Sequence, residues 1–416
     1  MRPVLLLVAL LFAVSACAGD PPGGTVEFVE SWPQHTVLEH PDLRDASNVW
    51  PELAGEATRR IDLAGFYFSR KGDGADAYGP DSAPDLLAPF LDAVAAAAER
   101  GVTVRTTADA KFMKTYPTAP EWLGGLPGAA LRVFDAGAAW GGVLHAKYFL
   151  MDEDVFWVGS QNFDWRALGQ IHELGVLVRH PGLAADVRRI YDLDWAVAGG
   201  EAEAERPVPP VVPIADLPHH ALTTPHGYTV GAVVAASPEH GLPAGVAWDL
   251  PLLIEMIDAA QDSVHLQLLS YGVTDREKRL FDDLDSALRR AAVRGAQVRI
   301  ILSNWSKRSY SLPWIKSLQV IDGIEVKFSD IPEHPDGFIP FARVEHAKVM
   351  TVDGERCWIG TSNWSRDYFF ASRNVSLFLV GAGCARDADM FFNQSWHGPY
   401  TATVDPAADY APPRRN

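Results

Sequence analysis

Gly142-Val-Leu-His-Ala-Lys147 and Val344-Glu-His-Ala-Lys348 carry one short polar signal twice, and the context repeats with it. In each copy the Lys is followed by four residues and then an Asp, Asp152 and Asp353. An Asn stands 17 residues after each His, in Gly159-Ser-Gln-Asn162 and Gly360-Thr-Ser-Asn363. A core repeats apolar positions, so polar residues held at fixed offsets in two distant stretches point to chemistry rather than packing. In an extended segment residues i and i+2 share a face, so His145 emerges with Lys147 and His346 with Lys348. The duplication implies two half-sites meeting across a pseudo-twofold interface, each giving an imidazole, an ammonium and an amide. Such a set suits a phosphodiester, which needs a nucleophile, an acid and fixed positive charge on its oxygens.

The rest of the chain repeats around these motifs. The spacing predicts a first half over 25–200 and a second over 226–404, joined by a Pro-rich connector at 201–225 and followed by a disordered tail at 405–416. Each half reads as strands alternating with amphipathic helices, among them Pro84–Arg100 stopped by Gly101 and Arg276–Arg294 stopped by Gly295. The motif regions read as hairpins, Ala146–Met151 with Val155–Val158 and Ala347–Val352 with Arg356–Ile359. Continuous apolar strands such as Val298–Leu302 between such helices indicate an α/β fold: a bilobal α-β-α sandwich with helices on both sheet faces.

With 416 residues, 48% apolar and 21% charged, the chain has material for a large core. Its formal charge of -17 excludes a general basic field, so an anionic substrate must be captured by local cations. At the N-terminus Arg2 precedes the apolar run Val4–Val14, which is short for a membrane span, and Val14-Ser-Ala-Cys17 closes it. This resembles the bacterial lipobox, which implies a signal peptide at 1–16, lipidation of Cys17, a tether at 17–24 and an extracytoplasmic, membrane-anchored protein; ordinary cleavage near Ala16 or Ala18 is the alternative. Cys357 lies in an apolar strand and reads as a small buried hydrophobe, with a disulfide to Cys384 left open. No ligand spacing for zinc and no carboxylate cluster for a metal is present, so neither cofactor nor metal is expected. His219, His220 and His226 read as loop residues.

The two H-x-K-x4-D motifs with their G-S/T-x-N extensions resemble the HKD motif of the phospholipase D superfamily, over essentially the whole mature chain. The stretches Asn162-Phe-Asp-Trp-Arg166, His172-Glu-Leu-Gly-Val176, Ile339-Pro-Phe-Ala-Arg-Val344 and Gly360-Thr-Ser-Asn-Trp-Ser365 are similar to the branch of phospholipase D three and four. The resemblance implies a metal-independent phosphodiesterase acting through a phosphohistidine, with both half-sites in one chain and no oligomer required. Its substrate would be single-stranded nucleic acid attacked from the 5′ end, with phospholipid as the alternative. That branch is anchored by a transmembrane segment, so the lipobox is a departure.

Within this frame Glu173, 28 residues after His145, is expected to hold the His145 ring, whereas Asn374 at the same offset from His346 brings no charge. On that asymmetry His145 is assigned as nucleophile and His346 as general acid and then base. Lys147, Lys348, Asn162 and Asn363 are the phosphate-binding candidates. Asp152 and Asp353, beside the hairpin turns, are read as structural. Ser160 and Thr361 either donate to phosphate or shape the turn. Trp165, Trp305 and Trp364 are read as core.

Overall fold

The computed structural model describes residues 23–73, 79–275 and 278–415. Cys17 and the leader before it lie outside this range.

Each half lays down its strands in the same spatial order. In the first, Ala129–Phe134, Thr103–Asp109 and Arg60–Gly65 run parallel side by side. Arg60–Gly65 then pairs antiparallel with the motif strand Tyr148–Met151, followed outward by Val155–Gly159, Glu173–Arg179 and Thr25–Ser31. The second half repeats this with Ile324–Ser329, Gln297–Ser303, Ser263–Leu268, Lys348–Val352, Arg356–Gly360, Asn374–Val380 and Thr229–Ser237. The parallel strands need crossovers, which Ala88–Glu99 and Asp283–Arg294 supply. Behind them Gly101 and Gly295 take left-handed φ values of +94° and +103°, a conformation glycine adopts without steric cost.

Three apolar clusters hold the layers together. One belongs to the outer face of the first half, where Trp50 meets Trp157 edge-on at 4.7 Å and Phe149 and Phe163 fill in around them. A second does the same for the other half around Trp358, Trp364 and Phe378. The third lies between the halves and draws on both motif segments, with Leu144, Ala146, Leu174 and Val176 from one side and Ala347, Val349, Val375 and Leu377 from the other. The small Ala between each His and Lys therefore faces the shared core. Trp165 and Trp364 are fully buried, as expected of core residues, while Trp305 is half-buried.

Several boundaries differ from the sequence reading. The connector is not irregular to residue 225: His220–Thr223 is a strand, pairing with Thr229–Ser237 and touching Thr25–Ser31, so it joins the sheets of the two halves. His220 thus opens a strand, His219 approaches the Ile214 carbonyl at 2.6 Å, and His226 meets Asp387 at 2.6 Å. The helix expected from Arg276 begins at Asp283; Arg276 itself lies outside the described residues, and just before the helix Phe281 N–H donates to the Val273 carbonyl at 2.7 Å. The tail expected to be disordered is placed through residue 415: Tyr410 packs on Phe328, Lys316 donates to the Ala408 carbonyl, and Arg415 lies over Trp305. Aromatic and cationic side chains there give it partners that a Pro/Arg composition does not reveal.

Asp152 and Asp353 have matching structural roles. Both sit at the hairpin turn with left-handed φ, 50° and 54°, which Asp tolerates. The Asp353 carboxylate accepts the backbone N–H groups of Gln261, Asp262 and Ser263 at 2.8–2.9 Å; that of Asp152 accepts those of Thr58, Arg59 and Arg60. Each therefore clamps the turn that launches the parallel strand next to its half's motif strand. Asp353→Ala should cost roughly 2 kcal/mol, the scale of hydrogen bonds to a charged group. Urea unfolding would read this loss, with the turnover of the folded fraction retained; a large fall in turnover without loss of stability would place Asp353 in the chemistry instead.

Candidate active site

The motif segments are extended chain rather than strand at His145 and His346, and each is held by the opposite half. His145 N–H donates to the Arg373 carbonyl at 3.0 Å, and Arg373 N–H donates to the Val143 carbonyl at 3.0 Å. On the other side of the pseudo-twofold, His346 N–H donates to the His172 carbonyl at 2.9 Å and His172 N–H to the Val344 carbonyl at 3.0 Å. The two parallel bridges, Leu144 with Arg373 and Glu345 with His172, place the residues at offset 28 beside the partner half's imidazole.

This corrects the expected partner of Glu173, and removes the ground on which the sequence assigned His145 as nucleophile. Its carboxylate meets His346 Nδ1 at 2.9 Å, while His145 Nδ1 faces Asn374 Oδ1 at 3.1 Å. The orientation of the Asn374 amide is fixed, because its NH2 donates to the carbonyls of Tyr368 (2.8 Å) and Ser372 (3.3 Å), and its oxygen also accepts the Thr361 hydroxyl at 2.9 Å. An amide oxygen only accepts, so His145 carries its proton on Nδ1 and leaves the Nε2 lone pair free. Sequence offsets place a residue on a strand but do not say which half's ring it reaches.

Both lysines are fully buried, and each Nζ donates to the backbone carbonyl of the His two residues before it. Burial, reinforced by the two ammonium groups, holds both imidazoles well below their usual range. Burial likewise brings Lys348 down to about 7 and lifts Glu173 up to about 8. The Glu173–His346 pair therefore keeps one proton to about pH 8, shared between carboxylate and ring, while His145 is neutral.

The remaining motif residues fall in place around this pair. Asn162 and Asn363 are buried, and in each the amide Oδ1 has no protein partner; it is the NH2 end of the same amide that can donate to a phosphate oxygen. Ser160 exchanges hydrogen bonds with the Leu174 backbone, and Thr361 accepts from Val375 N–H while orienting Asn374, which makes both hydroxyls supports of the strand behind the site. Gly159 is required there, because a Cβ would lie 2.5 Å from the Gly175 Cα and 2.6 Å from the Trp157 ring. Cys357 and Cys384 are buried free thiols pushed upward by burial, away from this chemistry. Among the described residues no group of His, Cys, Asp or Glu is placed to hold a metal ion.

Two buried pairs escaped the sequence reading. The Arg373 guanidinium engages Asp194 through Nε and Nη2 at 2.8–3.0 Å, and His172 meets Glu345 at 2.8 Å. They stand at pseudo-equivalent places, offset 27 from each His, and their polar identity at that repeated spacing was the available signal.

The sequence comparisons agree with this duplicated geometry. Residues 137–333 match the family described as "PLD3/4, PLD-like domain" and residues 52–195 match "Cardiolipin synthase, PLD-like domain". The "5'-3' exonuclease PLD3" of Rattus norvegicus is 30% identical over 411 residues, covering 92% of this chain and 81% of the relative. The chain belongs to the phospholipase D superfamily. Within that superfamily it lies near the branch of phospholipase D three and four, and it is a phospholipase D-like enzyme. "Phospholipase D Z" of Dictyostelium discoideum is 28% identical over 393 residues, covering 92% of this chain and 91% of the relative. A phosphatidylserine synthase from Haemophilus influenzae Rd KW20 superposes with a TM-score of 0.60 at 14% identity, over 91% of this chain and 87% of that one, which establishes the shared fold.

The protonation pattern sets a pH profile. The kcat/KM should be bell-shaped: it falls on the acid side when His145 takes a proton, below the ordinary imidazole range. On the alkaline side it falls between about 7 and about 8, as Lys348 and the Glu173–His346 pair lose theirs. Glu173→Gln should lower kcat by ~10²–10⁴-fold and move the alkaline limb to lower pH, since the remaining imidazole has no carboxylate to share the proton. An alkaline limb unchanged in Glu173→Gln would contradict the pairing.

Proposed function

We propose that the protein is a metal-independent phosphodiesterase that cleaves single-stranded nucleic acid from its 5′ end through a phosphohistidine on His145. The observation that carries the mechanism is the unequal support of the two rings. His145, held neutral by burial and the two ammonium groups and oriented by the Asn374 amide oxygen, presents an Nε2 lone pair; His346, coupled to Glu173, holds a transferable proton. In the first step His145 Nε2 attacks phosphorus, the P–O bond to the leaving group breaks, and that oxygen takes the proton from His346. In the second, neutral His346 removes a proton from water, the resulting hydroxide attacks phosphorus, the P–N bond breaks and His145 returns to its resting form. Lys147, Lys348, Asn162 and Asn363 hold the phosphate oxygens, whose negative charge restores full protonation to the buried lysines. Two fixed ammonium groups give the charge neutralisation that a divalent ion gives in other phosphoryl-transfer sites.

The nucleic-acid reading is supported by the relative named as a 5'-3' exonuclease, and the relative named as a phospholipase D keeps phospholipid as the second substrate to test. Both half-sites lie in one chain, so a monomer suffices. The leader Arg2 to Cys17 supports a lipid-anchored, extracytoplasmic protein, with Cys17 acylated more than once for stable anchoring; Cys17→Ser should then move the protein from the membrane to the soluble fraction, and unchanged partitioning would remove the anchor.

The decisive assay offers the protein, in EDTA, 5′-hydroxyl and 5′-phosphorylated single-stranded oligonucleotides beside labelled phospholipid vesicles, with His145→Ala as control. Stepwise mononucleotide release that is absent from the control supports the proposal. Release of phosphatidic acid without nucleotide release would make the protein a lipid enzyme.

A further inference from the structure

Four aromatic rings stand together beside His145 and belong to none of the apolar clusters of the core. Phe66 lies 4.9 Å from the His145 ring and under the Lys147 ammonium, also at 4.9 Å. Phe112 packs on Phe66 at 4.0 Å, Tyr67 stacks on Phe112 at 5.5 Å, and Tyr116 stacks on Tyr67 at 5.0 Å. The last three rings are nearly coplanar in orientation, within 23° of one another, and all four are only partly buried. Core packing does not account for partly accessible rings that lie outside every core cluster and beside a reactive imidazole.

The patch is also fastened to the site at both ends. Asp109 accepts the backbone N–H groups of Lys111 and Phe112 through one oxygen, at 3.0 and 3.3 Å, and that of Leu144 through the other at 2.7 Å. The turn that carries Phe112 is thereby tied to the residue before His145. At the other end the Tyr67 hydroxyl donates to Asp164 at 2.8 Å, and Asp164 N–H donates to the Asn162 carbonyl at 2.8 Å. The same short segment carries Lys111 and Lys114, both exposed and without an ion-pair partner among the described residues.

We infer that Phe66, Phe112, Tyr67 and Tyr116 form a stacking subsite for the unpaired nucleobases next to the scissile phosphate, with Lys111 and Lys114 at its rim meeting the neighbouring phosphates. This rests on the nucleic-acid reading and names what selects the substrate. Parallel aromatic faces beside free cations are the combination that holds single strands without reading sequence, because every base offers a π-face and every linkage a charge. A duplex keeps its bases stacked on each other, and a phospholipid headgroup has no flat face to offer. The subsite therefore favours single strands over both.

The test uses the full-length protein in mild detergent and a short 5′-hydroxyl oligodeoxynucleotide, compared with the same strand made abasic at its 5′ end. The wild type should prefer the base-bearing strand in KM. Phe112→Ala and Tyr116→Leu should each reduce that preference by ~10- to 100-fold, and Phe112→Tyr should keep it. A 2-aminopurine at the 5′ end should be quenched on binding to the wild type and less so by Phe112→Ala, a reading independent of turnover. A preference and a quench that survive both substitutions would overturn the subsite. If the wild type releases no nucleotide from either strand, the nuclease reading itself fails, and the subsite fails with it.

Discussion

The site depends on one backbone arrangement, in which each motif segment forms its bridge with the opposite half. Leu144 beside Arg373 and Glu345 beside His172 are paired places where the halves exchange backbone hydrogen bonds beside the two imidazoles. Everything chemical follows from this exchange. It sets Asn374 on His145 and Glu173 on His346, and it buries both lysines near enough for the Lys348 charge to lower the proton affinity of Lys147. It also brings together the buried Arg373–Asp194 and His172–Glu345 contacts, whose polar groups have no water to turn to if one partner is removed. A half alone would have an imidazole with nothing to orient it.

The second constraint is charge. A protein of net charge -17 does not gather phosphodiesters by its overall field, and it places its decisive cations where water is excluded. Burying two ammonium groups together is unfavourable, and the lowered proton affinity of Lys348 expresses that cost. Each lysine is partly compensated by the carbonyl of its own motif His, and a bound phosphate completes the compensation. The buried cations are thus placed so that an anion relieves their burial, which is the sense needed for binding and for transition-state charge.

Much of this was legible in the sequence because duplication fixes it twice. The repeated His, Lys, Asp and Asn offsets gave both half-sites, and the alternation of apolar strands with helices gave the layered fold. The role of Asp152 and Asp353 could be read because a turn carboxylate has backbone to serve. The partner of Glu173 could not, because an offset along one chain says nothing of which half lies opposite. The strand His220–Thr223 was hidden by its Pro-rich approach, and the docked tail by its composition. The aromatic patch was invisible for a related reason: Phe66 and Tyr67 end one strand, Phe112 and Tyr116 follow another, and only the parallel pairing of those strands brings them together.

The most direct test of the central claim is to acid-quench the His346→Asn protein during reaction with a phosphodiester whose leaving group departs without a proton, and to locate the phosphoryl group by mass spectrometry. The proposed mechanism takes His145, oriented by Asn374 across the halves, as the nucleophile, so the adduct should accumulate on His145 and be absent when Asn374→Ala releases that ring. An adduct on any other residue, or none under conditions where the leaving group is freed, would contradict the account.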